Sequence, residues 1–114
     1  MKPTRYYSNA QEKKIAKAVG GRKTANSGAT KFSKGDINTE QFLIEAKTTT
    51  TDKKQFTIKK EWLTKNEEEA FAMGKNHSAL CFDFGPNSKQ RYYIISEQLF
   101  KVLNDYLREE LNNG

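Results

Sequence analysis

The 114-residue chain has one cysteine, Cys81, and one histidine, His77. A single cysteine excludes an intrachain disulfide and any zinc-ribbon spacing. A lone histidine beside Asn76 reads as a surface or capping residue before a general base. No apolar run approaches the roughly 20 residues that span a bilayer. The start, MKPTRYYSNAQEKK, lacks the apolar stretch of a secretory signal. A cytoplasmic protein without a membrane partner is therefore expected. Acids are scarce in one place only: residues 1–34 hold nine Lys/Arg and a single acid, Glu12. Residues 61–114 hold six basic and nine acidic residues, so the net charge of +6 originates in the first third. A localised basic surface is the footprint of a nucleic-acid binder, although an ordinary solvated surface also accounts for an excess of this size.

The length fits one domain, 1–114, burying on the order of 60–70% of its unfolded surface. Residues 1–8, with Pro3 and Arg5-Tyr6-Tyr7, read as an arm. Ala10, Ile15, Ala16, Ala18 and Val19 suit a short helix over 9–19, ended by Gly20-Gly21. Residues 22–35 are small, polar and aperiodic, which predicts a loop. Asp36-Ile37-Asn38 and Gln41 to Thr48 read as strands, and 48–54 as a polar connection. Thr57 to Lys75 reads as helical, Ala79 to Phe84 and Arg91 to Ile95 as strands joined through Gly85-Pro86-Asn87-Ser88. Ser96 is placed to cap a last helix whose apolar stripe runs from Leu99 to Leu111. The order predicts an α/β fold, a small mixed central sheet flanked by helices. The last stripe reads either as core or as an isologous dimer face.

The segment GDINTEQFLIEAKT, 35–48, carries the chemistry. Alternate side chains of a strand share a face, so Glu45 and Lys47 project together while Ile44 and Ala46 point into apolar packing. Eight residues separate Asp36 from Glu45, room for a tight turn that sets a second carboxylate beside the first. Close carboxylates repel unless a cation offsets them. Mg²⁺ suits a few carboxylates, waters and a phosphate oxygen, with the Ala46 carbonyl as a further ligand. Such a site serves phosphodiester hydrolysis, with Lys47 orienting water or neutralising the phosphate. Glu12 is available as a third carboxylate, directly or through water. A bare Glu-x-Lys is also a common surface ion pair; the preceding Gly-Asp and the basic context are what set this one apart. Among the basic residues, Arg5, Arg22, Lys23, Lys31, Lys34, Lys59 and Lys60 are candidates for phosphate contact.

Glu12, Asp36 and Glu45-x-Lys47 together resemble the PD-(D/E)xK nuclease superfamily. Ser27-Gly28 before the aspartate, I-E-A-K-T, F-T-I-K-K-E-W-L and the later A-L-C-F-D-F and R-Y-Y-I-I-S narrow the resemblance to the archaeal and phage Holliday junction resolvases, over roughly Ser8 to Phe100. The resemblance implies a restriction-endonuclease-like core and an active site of Glu12, Asp36, Glu45 and Lys47 with Mg²⁺, for which Mn²⁺ substitutes. It also implies a substrate-handling Ser27, a Lys60 or Lys59 near the site, and a homodimer making paired nicks in four-way DNA. A restriction- or repair-type nuclease on duplex DNA is the second expectation, and a non-catalytic DNA-binding protein the third. The chain departs from the pattern in Lys34-Gly35 before Asp36, in a longer polar loop, Arg22 to Ser33, and in a longer last helix.

Overall fold

A computed structural model describes residues 4–23 and 36–113, with the side chains of Thr4, Arg5 and Asp36 outside the description. The candidates Ser27, Lys31 and Lys34 lie outside the described residues. Helix α1 spans Thr4–Val19, followed by strands β1 (Arg22–Lys23), β2 (Asp36–Asn38) and β3 (Phe42–Lys47). Helix α2 (Lys60–Ala72) leads to β4 (His77–Phe82), β5 (Tyr92–Ile94) and helix α3 (Glu97–Asn113). The five strands form one mixed sheet in sequence order, antiparallel except for the parallel pair β3–β4. This is the expected α/β architecture. A parallel pair needs a crossover, and α2 supplies it.

The period of two along FLIEAK decides the layering. Ile44 is paired with Ile37 on one side and Ala79 on the other. These three, with Cys81, pack on Ile15 of α1. Leu43, Glu45 and Lys47 alternate onto the opposite face, which α2 covers. There the Asn66 amide donates to the carbonyls of Leu43 and Ala79. Leu80, fully buried, stands on that face beside Glu45. Leu80→Ala should lower stability by about 2–5 kcal/mol, read as a fall in denaturation midpoint at constant slope.

Several boundaries differ from those expected: α2 is shorter than 57–75, β4 starts and ends two residues before 79–84, and the N-terminal third differs at two places. Residues 4–8 are not an arm: α1 begins at Thr4 because Tyr7 and Ser8, both half-buried, extend the covered stripe of Gln11, Glu12 and Ile15 by one turn. Residues 22–23 are not loop but an edge strand, Arg22 paired with Asn38 and Lys23 with Ile37. Gly20, at φ +70, makes the left-handed turn that separates α1 from β1. The last helix is capped as expected, the Leu99 amide donating to the Ser96 hydroxyl at 3.1 Å.

Cys81 is buried in the core. Burial pushes its thiol above the usual range, and burial beside Cys81 pushes the Tyr93 phenol up to about 12. Both groups stay neutral at physiological pH, which suits packing rather than redox work. Among the described residues, no helix is long and apolar enough to cross a membrane.

Candidate active site

The pairing of β2 with β3 sets Asp36 directly opposite Glu45. Opposite positions of an antiparallel pair share a face and lie ~4.5–5.5 Å apart at Cβ. The described part of β2 begins at this pair, so Ala46 and Lys47 continue past it with no described β2 partner. Two acidic positions therefore share one face at the first described pair of β2 and β3.

Glu45 is only 19% exposed at its side chain, and among the described residues its buried Oε2 has no hydrogen bond. Among the residues with described side chains, its ion-pair partner is the Lys47 ammonium, 3.5 Å away. A buried carboxylate oxygen lacking a donor costs free energy, of order 1–3 kcal/mol. A hydrogen-bond donor or an additional cation would remove this cost, and oxygen ligands of this kind fit a hard divalent ion. Among the residues with described side chains, no three of His, Cys, Asp and Glu come together. Asp36 enters the site through its register alone.

The Lys47 ammonium also lies over the Trp62 indole, 4.1 Å from the ring centroid, with Lys59 on the same ring at 5.8 Å. Phe56 sits beside Trp62 and stacks on Phe82, which contacts Phe84 and Tyr92 in turn. The Trp62 ring, backed by this aromatic cluster, covers part of the Lys47 side chain, 28% exposed, and holds its charge near Glu45. The helical spacing of Trp62 fits a core or a dimer contact equally well. The signal for more was topological: α2 returns from the C-terminal end of β3 to the start of parallel β4, so its first turn must lie beside Lys47.

The loop between β3 and α2 is tied down at the same end. Asp52 accepts from the backbone and side-chain amides of Asn87 at 3.1 and 2.7 Å, and the Lys53 amide donates to the Phe84 carbonyl. Gly85 is required here: at φ +133 a Cβ would fall 2.5 Å from Asp52 Cα. The Asn87 hydrogen bonds hold the Asp52 carboxyl below its usual pKa of 3.8. A depressed folded pKa means the clasp contributes fully above the unfolded value and is lost as pH falls through the folded one. Amide proton shifts of Asn87 should therefore titrate with a midpoint below 3.8, and Asp52→Asn should abolish that titration.

Other candidates are placed elsewhere. Glu12 is buried on α1 and paired with Lys23 at 3.3 Å. Lys23 is in register with Ile37, on the face opposite Glu45 and Lys47. Glu12 therefore sits on the helix that packs on the Ile44 face of the sheet, with its carboxylate on Lys23. Lys23 is correspondingly engaged by an acid. Arg22 is exposed on the edge strand and Lys60 is exposed at the start of α2. Arg5 is fixed only by its place in the first turns of α1. Gln11, buried beside Glu12, donates to the Lys47 carbonyl at 3.1 Å and accepts from the Thr48 hydroxyl, fixing the end of β3. His77 packs on Phe42 at the other end of β3, remote from Lys47. Asp83 serves its loop, accepting from the Gly85 amide.

Comparison with protein-family models, curated proteins and solved structures finds no match to this chain.

Proposed function

We propose that the protein is a Mg²⁺-dependent DNA endonuclease of the PD-(D/E)xK type, a Holliday junction resolvase that nicks four-way junctions in pairs. The observation that carries this reading is the register of Asp36 against Glu45, with Lys47 on the face of Glu45 and a buried Glu45 oxygen that has no donor among the described residues. Asp36, Glu45 and the Ala46 carbonyl would hold the ion. When bound, Mg²⁺ supplies polarisation of the scissile phosphate and a lowered pKa for an attacking water. Lys47 presents a charge on the same face, kept in place by Glu45 and Trp62, to balance the negative charge that develops at phosphorus. Lys59 and Lys60, at the start of α2, approach the site from one side and contact neighbouring phosphates without reading sequence. Arg22 extends that basic margin along the β1 edge. Glu12 acts at one remove, holding Lys23 and with it β1 against β2. Paired nicks call for two such sites, hence a homodimer, working on recombining DNA in the cytoplasm of a bacterial or phage-infected cell.

The test uses labelled four-way junction, linear duplex and single strand, each with Mg²⁺ or EDTA. Paired junction cuts that vanish in Asp36→Asn while binding persists are expected. Equal cutting of linear duplex would replace the resolvase with a duplex nuclease, and binding without cutting of any substrate would remove the nuclease altogether. Trp62 makes a second, quantitative expectation. A cation–π contact is worth ~0.5–2 kcal/mol, so Trp62→Leu should slow single-turnover cleavage about tenfold. DNA affinity should stay unchanged, and Trp62→Phe should recover part of the rate.

A further inference from the structure

Helix α3 carries an apolar seam that the rest of the chain does not cover. Leu99 alone is buried, while Phe100, Leu103, Leu107 and Leu111 recur at spacings of three and four and are 42–83% exposed. Val102 and Tyr106 flank them, each more than half exposed. Six open apolar side chains on one helix, at roughly 150–250 Å² for each aromatic alone, exceed the ~300–600 Å² patch of an ordinary monomer. The face is on the scale of the ~800 Å² that each partner gives a standard interface.

We propose that this seam pairs antiparallel with α3 of a second copy of the chain, about a two-fold axis near Asp105. The assignment rests on α3 itself and not on the nuclease reading. The charge of the helix selects the occupant. Glu97, Asp105, Glu109 and Glu110 outnumber Lys101 and Arg108, which disfavours DNA phosphates and anionic lipid alike. The position of Glu110 selects the direction. At 100° per residue it falls on the line of Leu103, within the seam. A parallel pair would set Glu110 against its own copy; an antiparallel pair separates the two and carries each to the other's Phe100. Beside that end lies a groove of about 360 Å³ between α2 and α3, whose lining includes Lys75, Asn76 and His77. The Lys75 ammonium, which spends one donor on the Thr39 carbonyl, supplies positive charge for the incoming carboxylate, while Leu103 packs on Leu107 of the second copy. The exposed Phe71 on the rim of the groove extends the apolar surface on which Leu111 of the second copy would settle.

The test is the solution mass of the full chain by sedimentation equilibrium. Twice the 13.1 kDa of the chain is expected, with Leu107→Glu weakening self-association by on the order of a hundredfold or more at an unchanged circular dichroism spectrum. Because Leu107 is exposed in the single chain, this variant reports on pairing and not on folding. Mixed Leu103→Cys and Leu107→Cys proteins should cross-link to one another in preference to themselves under mild oxidation. A monomer at every concentration, a dimer that survives Leu107→Glu, or cross-links only between like positions would each overturn the proposal.

Discussion

Glu45→Gln should abolish Mg²⁺-dependent junction cleavage while leaving the protein at least as stable as before. The two effects have one origin. The carboxylate is largely buried, and one oxygen has an ammonium at 3.5 Å but no hydrogen bond among the described residues. In the free protein that charge is a cost, and a neutral amide of the same shape removes it. In the nuclease the same charge is what recruits the ion. Losing the several kcal/mol of charge stabilisation that a metal provides corresponds to a fall of about 10³-fold or more in rate. Single-turnover cleavage and thermal unfolding, measured on the same preparation, check both halves. A variant that lost activity and stability together would mark Glu45 as a structural residue, its charge satisfied within the fold.

Lys47→Met should produce the opposite balance. Among the described residues the ammonium is the cation paired with Glu45 Oε2, and its removal takes away that compensation. A cost of about 1–3 kcal/mol is expected, seen as a lower denaturation midpoint. Cleavage should fall on the order of 10²–10³-fold, the scale of removing one preorganised charge or donor from a transition state. Metal affinity should rise, because the ion no longer competes with an internal cation. The last effect is the informative one. An unchanged affinity would place the ion away from Glu45 even if cleavage were lost.

The β2–β3 geometry was legible because it depends on local quantities. Eight residues between Asp36 and Glu45 and a period of two along FLIEAK leave one register that buries Ile37, Ile44 and Ala79 together. The Ser96 cap was equally local. What the sequence concealed depends on which side of the sheet a helix takes. Nothing in the helical spacing of Glu12 says that α1 packs on the face away from Glu45, and the carboxylate settles on Lys23 in consequence. The two-residue β1 is too short to show a period and exists because β2 offers an edge. Trp62 had a helical spacing equally suited to core packing; only the crossover direction turns its ring toward Lys47. The α3 stripe was visible, and its openness was not, since periodicity measures amphipathicity and not what lies opposite.

Trp62 is the only tryptophan in the chain, and its ring lies beneath the ammonium that neighbours Glu45. Its emission therefore reports the site without reference to DNA or to turnover. Titrating the protein with Mg²⁺ should change that emission along a saturable curve, and Glu45→Gln should flatten it. An emission indifferent to Mg²⁺, or a titration that Glu45→Gln leaves intact, would contradict a metal centre at Asp36 and Glu45.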